Sequence, residues 1–254
     1  MGSELDGRHA LITGGGTGIG SAAAERLHAA GAKLSLLGRR MEPLLETVGK
    51  LGGAAIACDV TDRARIAGAF DEAREANGPI DILIVNAGVA SSAPFHKLER
   101  DDWDRLIATN LTAAFDCARA ALGDLLASDN GRLVFVASVA SLRGVPYAAH
   151  YAASKHGLLG LMRSLAAEYA RSSLTVNAVC PGYVDTAMTD QSVARVVGVT
   201  GRSEDDARAA IRAMNASGRL VSPEAVGQMI ATLCLPVSRD INGSAVTIDG
   251  GTTA

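Results

Sequence analysis

Tyr151 and Lys155 stand four residues apart in Tyr151-Ala152-Ala153-Ser154-Lys155, inside a helical pattern that runs to about Arg171. Residues at i and i+4 share one helix face, so a phenol and an ammonium group emerge side by side. Only 4 Tyr and as few Lys occur in 254 residues, so chance gives this spacing rarely. The plain alternative is a surface pair. A free phenol has a pKa near 10 and is a poor base at neutral pH. Bringing it towards neutrality takes about 3 units, or roughly 4 kcal/mol, and a neighbouring cation works in that direction. Tyr151 is therefore the candidate group that trades a proton with an oxygen of a bound molecule.

A second constellation comes early. Thr13-Gly14-Gly15-Gly16-Thr17-Gly18-Ile19-Gly20 follows an apolar run at 10–13 and opens an Ala-rich helix expected over 21–30. Glycines suit a sharp turn that must bring backbone against a pyrophosphate. The helix N-terminus then offers free N–H groups and partial positive charge. The strand–turn–helix setting favours a dinucleotide site over an ordinary tight turn. After the next apolar run the chain reads Leu36-Leu37-Gly38-Arg39-Arg40, with glycine where an acidic residue would accept from a ribose 2′-OH. Two guanidiniums match a 2′-phosphate, which favours NADP(H). The other reading is of two solvated charges opening a helix.

The elements that must position these groups alternate. Strands are expected at 10–13, 33–37, 54–58, 81–85, 132–137, 175–180 and 245–248, with helical patterns between them. Near-continuous apolar strands suit a parallel sheet covered on both faces. Ile66, Ala69, Phe70 and Ala73 form one helical stripe; Val226, Met229, Ile230 and Leu233 form another behind Ser222-Pro223-Glu224. A single α/β domain over 1–254 is expected, a Rossmann-type doubly wound parallel sheet of seven strands flanked by helices. The irregular stretch at 186–218 is read as a lid containing one helix, 204–214.

Composition bounds the rest. The chain is 48% hydrophobic and 20% charged with net charge -3, which gives no electrostatic footprint for nucleic acid. No apolar run reaches membrane-spanning length, and the start lacks the apolar core of a secretion signal, so a cytoplasmic protein is expected. Cys58, Cys117, Cys180 and Cys234 are scattered in apolar contexts and read as reduced core cysteines, with no clustered ligands for a metal.

These motifs together resemble the short-chain dehydrogenase/reductase family. The glycine turn has its Gly-x-x-x-Gly-x-Gly spacing, and Tyr151 and Lys155 its catalytic pair. Asn86-Ala87-Gly88 matches its signature supporting the adenosine side, and Asp59-Val60 its adenine contact, where Asp59 could also serve as a helix cap. The resemblance implies that Ser138, thirteen positions before Tyr151, holds the substrate oxygen, with Ser141 as competitor. It implies that Asn110 anchors a water-linked proton path through Lys155. It implies further that Pro181, Gly182, Val184 and Thr186 face the nicotinamide carboxamide, while Ile248-Asp249-Gly250-Gly251 matches the family's last strand. Members often carry a basic residue where Thr17 stands when they use NADP, so NAD(H) stays open.

The implied reaction is hydride transfer between a nicotinamide cofactor and a secondary alcohol or ketone. Candidate substrate contacts are Arg143, Tyr147, His150 and Met188, on an otherwise apolar wall. Arg195, Arg202, Arg208 and Arg212 could hold an anionic tail or form a solvated face. The nearest resemblance is to 3-oxoacyl-thioester reductases and 3-hydroxyacyl-CoA dehydrogenases, with polyketide ketoreductases close behind. Helices at 104–126 and 151–171 look too apolar for a monomer, and the family commonly pairs them, so a homotetramer is expected.

Overall fold

Seven apolar runs form seven strands in a computed structural model that describes residues 3–254. They are β1 (His9–Thr13), β2 (Lys33–Gly38), β3 (Ala54–Ala57), β4 (Ile82–Val85), β5 (Arg132–Val136), β6 (Thr175–Pro181) and β7 (Ala245–Ile248). All pair in parallel, in the order β3-β2-β1-β4-β5-β6-β7. Strands β1, β4, β5 and β6 are buried at every position, as an apolar run without alternation requires. The strand order reverses between β1 and β4. At such a switch point the loops leaving the strands part, and a crevice opens beyond their carboxyl ends.

Helices cover both faces. On one, α1 (Gly18–Ala29), α2 (Met41–Leu51) and α9 (Pro223–Cys234) bury Leu27, Leu44, Val226 and Ile230. On the other, α3 (Arg63–Asn77), α5 (Ala113–Ala127) and α6 (Ala149–Glu168) bury Phe70, Cys117, Leu158 and Met162. Residues 66, 69, 70 and 73 face the core as their spacing predicts. Ser222 caps α9 by accepting from the Ala225 N–H. The four cysteines are buried and unbridged. Among the described residues no helix is long and apolar enough to cross a membrane.

Four expectations need correction. Helix α1 starts at Gly18 rather than residue 21, with Thr17 as its extended N-cap. The helix expected over 104–126 is α4 (Arg100–Ile107) and α5 joined by a π turn, Ala108–Thr112, which contains Asn110. Asp59 is not the cap of α3. That cap is Asp62, whose carboxylate accepts from the Ala64 and Arg65 N–H groups. The 186–218 segment holds two helices, α7 (Ala187–Thr200) and α8 (Glu204–Arg212), around a small core of Val193, Ala207 and Ile211.

Helices α1 and α9 approach closely because position 227 has no side chain. A Cβ there would sit 2.6 Å from the Ala22 carbonyl carbon. The expected effect of Gly227→Ala is a loss of about 1–3 kcal/mol as the helices are pushed apart. A lower urea midpoint with an unchanged denaturant slope would register it.

Candidate active site

Helix α6 presents Tyr151 and Lys155 to the carboxyl end of β5. The Lys155 Nζ donates to the Val136 carbonyl at 2.8 Å and lies 5.8 Å from the centre of the Tyr151 ring. Ser138 lies two residues past the end of β5, where its Oγ accepts from the Ala140 N–H at 3.1 Å. Burial pushes the Tyr151 phenol up from its ordinary pKa, and a hydrogen-bonding contact from Ser138 works against that rise. Burial also pulls Lys155 down to about 8. The lysine was expected to lower the phenol. Desolvation works against that effect, because it penalises the charged form of each group. At neutral pH the pair therefore rests as a phenol beside an ammonium, a protonated donor poised at the sheet edge. Ser141 is buried, and its hydroxyl has no hydrogen-bond partner among the described residues.

Asn110 makes no hydrogen bond to Lys155 among the described residues. Its Oδ1 accepts from the Val89 N–H at 2.9 Å, and its Nδ2 donates to the Val89 carbonyl at 2.9 Å and the Ser154 Oγ at 3.2 Å. The two groups nonetheless border one small space. A Cβ on Gly88 would lie 3.3 Å from the Asn110 Oδ1 and 3.8 Å from the Lys155 Nζ. A π turn widens the helix locally and is a frequent companion of functional side chains.

The glycine turn is braced from below. The Asn86 Nδ2 donates to the carbonyls of Thr13 and Gly14, while the Thr13 Oγ1 accepts from the N–H groups of Asn86 and Ala87. Thr13 and Asn86 thus hold the turn against β4 instead of lining the crevice. Gly14 has φ +65°, and a Cβ on Gly20 would strike the Gly14 carbonyl oxygen at 2.1 Å, so both must be glycine. Ile19 packs into the core beneath. Thr17 makes no side-chain cap to α1 and no acid sits in the first turn, which leaves the N-terminal N–H groups free for an anion.

A cleft of about 650 Å³ runs from this turn past Gly38, Arg39, Arg40, Asp59 and Val60 to Ala87 and Gly88. Gly14, Gly16 and Thr17 form its floor. Arg39 and Arg40 make no ion pair among the described residues. The Asp59 carboxyl is held below its usual value chiefly by the Thr61 N–H, with Arg39 a smaller influence. Val89 and Arg105 also line the cleft. Neither belongs to a local motif; only the fold brings α4 across from the glycine turn. The donor set fits a dinucleotide phosphate.

On the other side of the turn, Pro181 ends β6. Gly182 admits the Asn215 Oδ1, which a Cβ would meet at 2.5 Å, and the buried Val184 pairs with Val221. Thr186, the N-cap residue of α7, lies against the turn; a Cβ on Gly18 would come 3.0 Å from its Cγ2. Of the expected substrate contacts, Tyr147 is 67% exposed and Met188 is 40% exposed. Arg143 borders a separate hollow of about 840 Å³ against the C-terminal residues Thr247–Ala254. His150 does not line a surface: it is 1% exposed and bonds Ser91 at 2.6 Å. Arg195 donates to the Ser92 carbonyl and Arg208 pairs with Asp190, so two of the four arginines between 195 and 212 are already engaged.

Residues 8–218 match the family profile of short chain dehydrogenases. The chain belongs to that family. It is 36% identical over 249 residues to a ketoacyl reductase assigned to the granaticin polyketide synthase of Streptomyces violaceoruber, covering 95% of this chain and 92% of that protein. It is 33% identical over 244 residues to the 3-oxoacyl-[acyl-carrier-protein] reductase MabA of Mycobacterium tuberculosis, with 96% and 92% covered. Among solved structures, a variant of actinorhodin polyketide ketoreductase crystallised with NADPH superposes with a TM-score of 0.93 at 33% identity, covering 99% of both chains. As a short-chain dehydrogenase, the protein is an oxidoreductase of the alcohol/ketone pair.

Keeping a lysine charged in this dry position opposes folding. A fall from 10.5 to about 8 corresponds to roughly 3 kcal/mol of lost stability. Because the folded pKa is the lower one, that loss is complete below about 8 and fades as pH approaches 10.5. Lys155→Met also leaves the Val136 carbonyl without its donor, so the expected gain in melting temperature at pH 7 is about 3–5 °C. Thermal unfolding at pH 7 and pH 10 would check this, with the gap narrowing at the higher pH.

Proposed function

We propose that this short-chain dehydrogenase is an NADP(H)-dependent ketoreductase, acting on a 3-oxoacyl thioester or a related ketone. The observation that carries the reading is the half-buried Tyr151 phenol with Ser138 and Lys155 at the carboxyl end of β5, on the same edge of the sheet as a phosphate-fitting cleft that carries two unpaired arginines. Ser138 would orient the carbonyl oxygen, and Tyr151 would give its proton to that oxygen as charge develops there. Lys155 would stabilise the phenolate left behind, and Asn110 with the Gly88 space would leave room for a water bringing the replacement proton. The nicotinamide supplies the hydride when bound. A phenol held protonated by burial suits the reductive direction; the oxidation of a 3-hydroxyacyl-CoA is the same chemistry reversed.

In the cofactor cleft, Gly14, Gly16, Thr17, Gly18 and the first N–H groups of α1 would take the pyrophosphate, Asp59 and Val60 the adenine, and Arg39 and Arg40 the 2′-phosphate. Thr186, Gly182 and Val184 would face the carboxamide, and residues 186–218 would act as the substrate lid. Tyr147 and Met188 are the proposed substrate contacts, with Arg143 at the margin. An NADPH-linked reductase with four reduced cysteines suits the cytoplasm. The exposed Phe115 and Leu126 on α5 support assembly into a homotetramer through α4, α5 and α6, for which light scattering should give four times the chain mass.

Tyr151→Phe is expected to lower ketone turnover by about 10³-fold while NADPH affinity stays within about threefold. Full turnover in that variant, on a ketone the wild type reduces, would overturn the proposed role. Arg39→Ala with Arg40→Ala should weaken NADPH by about tenfold or more and leave NADH unchanged, as fluorescence titration would report. A panel of 3-oxoacyl thioesters and simple ketones, read by nicotinamide absorbance with both coenzymes, tests the substrate class.

A further inference from the structure

The loop leaving β4 has no regular structure before Phe95, yet it is gripped at four points between residues 89 and 93. Asn110 holds both the N–H and the carbonyl of Val89. The Ser91 Oγ meets the His150 Nε2 at 2.6 Å. The Ser92 carbonyl accepts from the Arg195 Nη1 of the lid helix α7 at 2.8 Å. The Ala93 N–H donates to the Tyr147 carbonyl at 2.8 Å. Three elements therefore converge on one short stretch: the π turn, the start of the catalytic helix α6, and the lid.

His150 stands out among these grips. It is next to Tyr151 in sequence and almost fully buried, and its Nδ1 finds no hydrogen-bond partner among the described residues. A buried polar atom left unpaired is unfavourable, so the bond its other nitrogen makes must matter to the arrangement. Burial holds the imidazole below its ordinary pKa, with Asp102 and Arg105 of α4 and Arg195 of α7 as the charges around it. A neutral ring suits a single bond to a hydroxyl. Tyr147 adds a second sign of constraint. It is the one non-glycine residue with positive φ among the described residues, at +63°. Such backbone persists only where neighbours over-determine it, and the Ala93 bond is one of those neighbours.

We propose that His150 is a positioning residue: through Ser91 it fixes the 89–93 loop, and through Ser92 and Arg195 that loop holds α7 over the mouth of the site. His150 then contacts neither the reacting atoms nor the cofactor. Its loss loosens the lid and weakens ketone binding, leaving proton transfer by Tyr151 intact. This inference rests on the ketoreductase reading for its kinetic consequence, though not for the grip itself.

The test compares His150→Phe, which keeps ring bulk without the bond, with His150→Gln, whose amide nitrogen reaches the position of Nε2, and with Ser91→Ala. Each is assayed with NADPH and a 3-oxoacyl N-acetylcysteamine thioester, and amide hydrogen exchange is followed over α7 and α6. In His150→Phe the expected KM for the thioester rises about tenfold, the size of one lost hydrogen bond, with kcat within about twofold. Exchange over α7 quickens by about tenfold while the α6 interior stays unchanged. His150→Gln restores both readouts, and His150→Phe adds nothing on a Ser91→Ala background. A fall in kcat at constant KM, additive effects of the two substitutions, or unchanged α7 exchange would overturn the proposal. If the wild type turns over no carbonyl compound, the ketoreductase reading fails, and the exchange comparison alone still decides the grip.

Discussion

A charged ammonium group held in a nearly dry place governs this molecule. Lys155 is fixed by one backbone carbonyl at the end of β5, beside a phenol that burial keeps protonated. Every larger feature can be read as a condition for that arrangement. The sheet must end at Val136 to aim its carbonyl; α6 must pack on the same sheet edge to bring residues 151 and 155 to it; Gly88 must lack a side chain so that space remains on the far side. Desolvation makes the lysine expensive to keep and also makes its field strong, since attraction between charges grows as water is excluded.

Much of this was legible in the amino-acid order. All seven strands lie within one residue of where apolar runs at turn-bounded spacing place them, and the four that are buried throughout leave the plainest mark. The Tyr–Lys pair and the glycine turn were legible for a different reason: each depends on backbone geometry local to one element. The misses are all effects of packing. Asn110 was placed in a plain helix, whereas its two bonds to Val89 accompany a π turn that no period reveals. His150 was read as lining because it neighbours Tyr151, but one step around a helix turns a side chain by about 100°, from the crevice into the interior. Asp59 was the cap the sequence offered for the following helix, but the first turn of α3 begins at Arg63 and takes Asp62 instead.

Proximity of opposite charges argued for a lowered phenol pKa; burial, whose depth the sequence does not give, works against the charged form of both groups.

Thr186 lies against Gly18, which ties together two parts of the chain far apart in sequence. The turn after β1 and the residue that precedes α7 share a single van der Waals gap. Gly18 is already held to glycine by its φ of +57°, so the constraint falls on position 186, where a bulkier residue would press on the glycine turn. A 186–218 segment transplanted from another member of the family would therefore arrive with a demand on a turn laid down more than half the chain earlier.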